Sequence, residues 1–174
     1  QKDPKFALAH AGVADTYTLL GDSGYIPPSE AWKNAKLAAA EALNLDDSLA
    51  EAHTSLALVL EYYDWDWAGA EREFRRAIGI NPNSAVAHHW YGEFLAKTGR
   101  FEAARAELRK AQELDPLSLM INTSLGWHLY VSRNYDRAVE QLKKTLEMDA
   151  KFVPAQRLLE TVYAQAGMYQ EAIA

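Results

Sequence analysis

The chain has 174 residues, 49% hydrophobic and 24% charged, with a formal net charge of −6 and no cysteine. The acidic balance argues against a nucleic-acid-binding surface, which needs a basic face. Absence of cysteine excludes disulfides, thiolate metal sites and cysteine nucleophiles, and no apolar run reaches the roughly 20 residues that cross a bilayer.

Helical periodicity predicts helices over 7–20 and 29–44, 50–63 and 67–80, 85–98 and 101–114, 119–132 and 135–148, then 153–166, with a tenth beginning near 169. In the first pair, Gly21, Gly24, Pro27 and Pro28 predict a loop over 21–28, with Ser29 as N-cap of the helix that follows. In the second pair, Asp64-Trp65-Asp66 forms the turn, Asp66 is the expected N-cap, and Trp65 and Trp67 are assigned to packing between repeats. The third pair turns at Gly99, suited to a left-handed helix C-terminus, and stops at Asp115-Pro116 because the residue before proline is driven out of the helical region. The second pair stops likewise at Asn81-Pro82, whereas the fourth stops at Asp149-Ala150. The fifth pair turns at Gly167 and is truncated, so the sequence reads as part of a longer protein without a visible signal peptide.

The second helices share a signature. An aromatic residue precedes an alanine by three positions at Trp32/Ala35, Trp67/Ala70, Phe101/Ala104, Tyr135/Ala138 and Tyr169/Ala172, and successive alanines are 35, 34, 34 and 34 residues apart. A fixed period near 34 predicts an all-α solenoid of antiparallel helix hairpins, with repeats over about 7–49, 50–84, 85–118, 119–152 and 153–174 forming one domain. The small alanine lets the first helix approach the second.

These residues resemble the tetratricopeptide repeat, whose 34-residue pattern is W-x2-L-G-x2-Y, then A-x3-F, then P. In the third repeat Tyr91, Gly92, Leu95, Ala104, Leu108, Ala111 and Pro116 match, and in the second Leu56, Ala57, Leu60, Ala70, Phe74, Ala77 and Pro82. The fourth matches with Leu125, Gly126, Leu129, Ala138 and Leu142 but carries Thr145 and Ala150 at the last two positions. The resemblance implies a right-handed superhelix of about 4.5–5 repeats. The stretch from Tyr62 to Phe74, with Pro27 to Ala31, is also similar to repeat regions of large bacterial signalling proteins.

In the resembling family the first helices line a concave groove that binds protein or peptide segments. The implied groove residues here are Asp15, Glu51, Thr54, Glu61, Tyr62, His89, Glu93, Lys97, Thr123, Trp127, Tyr130, Arg157, Thr161 and Gln165. Asp15, Glu51, Glu61 and Glu93 make its first half acidic, and Trp127 with Tyr130 would anchor an aromatic or apolar part of a partner whose basic part the acids steer. The lysine and asparagine with which chaperone-tail adaptors clamp a carboxylate are missing: Ala11, Thr54, His89, Thr123 and Arg157 stand at one clamp position, and Asp15, Leu58, Glu93, Trp127 and Thr161 at the other.

Position four of the repeat, usually tryptophan in the family, holds His10, His53, His88, Asn122 and Gln156. Neighbouring helix axes lie about 8–10 Å apart, too far for ligands that sit about 2.0–2.3 Å from one zinc ion. Hydrogen-bonded structural roles are expected, with no metal and no cofactor. No nucleophile–base pair or phosphate-binding glycine loop is present, so the reading is a protein-interaction scaffold, not an enzyme. Self-assembly through an exposed terminal repeat (Leu158, Leu159, Val162) is the alternative. Neither nucleic acid nor a membrane span is expected, and the expected location is cytoplasmic, or periplasmic for an anchored parent protein. Ala104→Leu is expected to cost about 1–3 kcal/mol by forcing the paired helices apart, read as a lowered urea midpoint.

Overall fold

The computed structural model describes residues 4–172; residues 1–3, and the last two of the repeat expected over 153–174, lie outside the described residues. The helices are α1 (Pro4–Asp22), α2 (Pro28–Leu45), α3 (Ala50–Tyr62), α4 (Trp67–Ile80), α5 (Ala85–Lys97), α6 (Phe101–Leu114), α7 (Leu119–Val131), α8 (Tyr135–Met148), α9 (Val153–Gln165) and α10 (Tyr169–Ala172). The chain divides into two compact units, Gln1–Trp90 and Tyr91–Ala174. In the first, α1 packs on α2, α3 on α4, and α3 also on α1 and α2; in the second, α7 packs on α6, α8 and α9.

This packing explains two kinds of helix. α4, α6 and α8 each bury a narrow stripe, such as Ala104, Leu108 and Ala111 on α6, and are polar elsewhere. α3 and α7 are flanked on several sides and bury most of their circumference, so His53, Thr54, Ser55, Asn122, Thr123 and Ser124 lie inside despite being polar. Ala35, Ala70, Ala104 and Ala138 are fully buried, as the spacing predicts.

Glycine sets the closest approach within a hairpin. A Cβ on Gly92 would stand 2.7 Å from Leu108 Cγ and 3.2 Å from the Leu108 backbone nitrogen, and one on Gly126 would stand 2.6 Å from Leu142 Cδ2. Leu108 and Leu142 are fully buried, so neither can swing away cheaply.

The turns show a second regularity. Trp65, Gly99, Arg133 and Gly167 all adopt left-handed backbone, at φ of 57°, 78°, 61° and 76°. Two are glycine, and two accept the cost of a side chain there. Between repeats the helix stop does not depend on proline. Asp46, Asn81 and Asp149 each accept a bond from the backbone N–H two residues on, at 2.9, 3.1 and 2.9 Å, which makes the turn equally well before Asp47, Pro82 and Ala150.

Three sequence expectations are corrected. The loop expected over 21–28 is shorter, spanning 23–27: α1 runs through Gly21, whose missing side chain brings it against Ala31 and Trp32 of α2, and most of the additional residues of this repeat lengthen the two helices. Ser29 lies inside α2 and not at its N-cap, because Pro28 supplies the preset first turn. Trp65 is 70% exposed, because the left-handed turn carries it away from the core, so it is not a packing residue, whereas Trp67 is more than half covered, its ring centroid 6.4 Å from that of Trp65. Asp66 caps α4 as expected, accepting from the Gly69 N–H at 2.8 Å.

Gly92→Ala is expected to cost about 1–3 kcal/mol by overpacking. Gly79→Ala, in an exposed helical position with open space around it, is expected to stabilise by about 0.5–1 kcal/mol. Urea midpoints moving in the same direction would refute the close-approach argument.

Candidate partner-binding site

The position-four side chains tie successive repeats together. Four of the five reach the backbone carbonyl six residues earlier: His53 Nε2 to Asp47 at 2.9 Å, His88 Nε2 to Pro82 at 3.0 Å, Asn122 Nδ2 to Pro116 at 3.0 Å and Gln156 Nε2 to Ala150 at 2.8 Å. The other side of the ring or amide meets the preceding or paired second helix. His10 Nδ1 lies 2.9 Å from Glu41, His53 Nδ1 lies 2.6 Å from Glu73, and Asn122 Oδ1 accepts from Gln112 at 2.7 Å and Gln141 at 3.2 Å. These residues fasten the turn between repeats. Among the described residues no group of three histidine, aspartate or glutamate side chains is placed to hold a metal ion.

Two of the acids expected in the groove serve as braces between first helices. Ser55 donates to Asp15 in the first unit, and Ser124 donates to Glu93 at 2.5 Å in the second. Both pairs join repeat position nine to position six of the next repeat. Burial raises the Asp15 carboxyl above its ordinary value, the Ser55 bond opposes this, and the charge of Glu51 adds to the rise. Glu51 is exposed and Glu61 is buried.

Other expected groove residues in the first unit are occupied in packing. The Thr54 hydroxyl is buried and donates to the Ala50 carbonyl at 2.9 Å. Tyr62 stacks on Trp32 with ring centroids 5.2 Å apart and nearly parallel planes. His89 is buried beside Trp90.

The second unit is different. Glu93 and Lys97 on α5, Thr123 and Trp127 on α7, and Arg157 and Thr161 on α9 line one open cleft of about 490 Å³. Met120, Ser124, Pro154 and Leu158 complete its wall. Lys97 Nζ lies 4.0 Å from Glu93 Oε2, while Arg157 is exposed. Tyr130 does not join Trp127: it packs with the α8–α9 core beside Tyr135, ring centroids 6.1 Å apart. Gln165 is exposed at the end of α9, outside the cleft. Register arithmetic identifies the first six residues. The expected set leaves out Met120, an exposed apolar residue, and Leu158, which also packs against the α8–α9 core.

The architecture defines a class before any relative is considered: an all-α repeat of antiparallel hairpins with small residues at the helix crossing. The tetratricopeptide-repeat family model matches residues 65–120. The type IV pilus assembly protein PilF of Pseudomonas aeruginosa is 27% identical over 172 residues, spanning 88% of this chain and 67% of PilF. A solved structure of Pseudomonas aeruginosa PilF superposes with a TM-score of 0.71 at 25% identity, covering 94% of this chain and 73% of that one. A thermophilic tetratricopeptide-repeat protein of Thermus thermophilus gives 0.74 at 18% identity, covering 91% and 86%. YrrB, described as a tetratricopeptide-repeat protein with an unusual peptide-binding site, gives 0.60 at 21% identity, covering 92% and 79%. Residues 65–120 are tetratricopeptide repeats by this match, and the chain has the all-α solenoid fold of tetratricopeptide-repeat proteins. No helix among the described residues is long and apolar enough to cross a membrane.

His128 of α7 gives this domain a pH dependence. It is 3% exposed, and burial, with the charge of Arg105, holds its imidazole below the ordinary value of 6.5, Glu102 opposing. The unfolded chain therefore takes up this proton more readily than the folded one. The stability His128 allows is fully present above about pH 6.5 and is lost as pH falls through that value towards the depressed one. The urea midpoint of the wild type is expected to drop more than that of His128→Gln between about pH 7.5 and pH 5.5; parallel profiles would refute it.

Proposed function

We propose that the domain is a protein-interaction scaffold that seats an extended or helical segment of a protein partner in the cleft between α5, α7 and α9. The observation that carries this reading is that six of the fourteen residues implied by the family's groove positions line a single open cleft. Its apolar wall of Met120, Trp127 and Leu158 suits one large apolar side chain, with half-buried Trp127 as anchor. The charge preference differs from a simple basic partner. Ser124 and Lys97 already engage Glu93, while exposed Arg157 presents a cation to the cleft, so an acidic group flanking the apolar residue fits it.

Such a domain would act as the regulatory or assembly arm of a larger bacterial protein, in keeping with the similarity to a pilus assembly protein. Self-assembly through α9 receives less support, because Val162 is fully buried and Leu158 and Leu159 pack against the α8–α9 core. A panel of peptides with one fixed tryptophan or leucine and variable flanking charge, titrated against the domain, tests the cleft. Trp127→Ala is expected to cost about 2 kcal/mol for the best binder, and Arg157→Glu to turn the preference from acidic to basic flanks. Equal affinities for wild type and both variants would remove the cleft from consideration.

A further inference from the structure

A second concavity of the Tyr91–Ala174 unit lies among α6, α7 and α8, distinct from the partner cleft, with a volume of about 210 Å³. Its lining is unusually cationic for so acidic a chain. Arg105 and Arg109 come from α6 and Arg137 from α8, against one carboxylate, Glu102. Arg105 is engaged with Glu102, whereas Arg109 and Arg137 make no ion pair among the described residues. His128 also lines the cavity, and its buried Nδ1 has no hydrogen-bond partner among the described residues. A buried ring nitrogen left unmatched costs stability unless something satisfies it.

We propose that this cavity is a binding site for a phosphate-class oxyanion, either inorganic phosphate or the phosphate of a small monoester. Guanidinium groups from two different helices can bond a tetrahedral oxyanion from separate directions, the arrangement that favours arginine over lysine. The volume is below the roughly 300–1,000 Å³ of sites that enclose a whole drug-sized ligand, so it suits a small anion or one end of a larger molecule. Phe101, Leu125 and Leu129 supply an apolar wall on which an organic body could rest. Gln112 and Gln141 are tied to Asn122 and make a fixed boundary. His128, with a proton on Nδ1, would give the ligand the bond that Nδ1 lacks.

The test titrates the whole chain with inorganic phosphate and, separately, with phenyl phosphate at constant ionic strength. Calorimetry reads affinity and NMR follows the His128 ring. Saturable one-to-one binding is expected, at least about ten-fold weaker in Arg109→Gln/Arg137→Gln because charge-assisted bonds are lost, with the urea midpoint of that variant unchanged. Both substitutions are at exposed positions, so the fold is retained. Ligand charge should offset Arg105, Arg109 and Arg137, leave Glu102 as the opposing carboxylate, and raise the His128 titration midpoint. Tighter binding of phenyl phosphate would support the monoester, and equal affinities the free anion. No saturable binding of either ligand, or an unchanged affinity in the double variant, would overturn the proposal.

Discussion

Everything in this fold depends on how closely two helices of a hairpin can approach. At Gly92 and Gly126 the approach leaves no room for one methyl group, and fully buried Leu108 and Leu142 take the space. The fully buried alanine column of the second helices supports the same contact. Once the helices are this close, their flanks form a continuous packed surface, and the first helices can bury polar side chains because hydrogen bonds await them inside. A larger residue at the crossing would therefore disturb more than one contact. It would shift the donors and acceptors through which each repeat reads the position of its neighbour.

Helix positions were largely legible in the sequence because the punctuation is local. Glycine at Gly99 and Gly167, the N-cap Asp66, and the Asp or Asn that ends each repeat act within two or three residues of where they stand. What could not be read depended on distant contacts. Gly21 looks like a breaker until Trp32 is seen against it, and that contact lets α1 run on to Asp22 before the loop begins. Asp15 and Glu93 look like free charges on a groove, yet a serine one repeat later binds each of them. That pairing of an acid at position nine with a serine at position six was present in the sequence, and only the neighbouring helix gives it meaning. Tyr130 and Trp127 differ for a similar reason: three residues apart on one helix, one faces the paired helix and the other the open cleft.

α7 explains how one short helix serves two surfaces. Thr123, Ser124 and Trp127 face the cleft shared with α5 and α9, while Leu125, His128 and Leu129, with Ser132 just past the helix end, face the cavity shared with α6 and α8. A helix embedded on several sides has no idle face, so each polar residue on it must be matched by a neighbour, by water or by a ligand. Asn122 is matched completely, through Pro116, Ser118, Gln112 and Gln141. His128 is the residue at which that matching stops, and the arginines gather around it.

The bond from position four to the carbonyl six residues back also fixes where the true module begins. A repeat cut at the start of its first helix, between Ser84 and Ala85 or between Ser118 and Leu119, would separate His88 from Pro82 or Asn122 from Pro116, so the boundary that looks natural on paper divides a structural unit. A cut inside a hairpin turn, at Gly99 or Arg133, leaves each of these bonds intact. For exchanging or duplicating repeats, the interchangeable part is therefore a second helix followed by the first helix of the next hairpin. Shuffled in that frame, every added piece would carry its own joint.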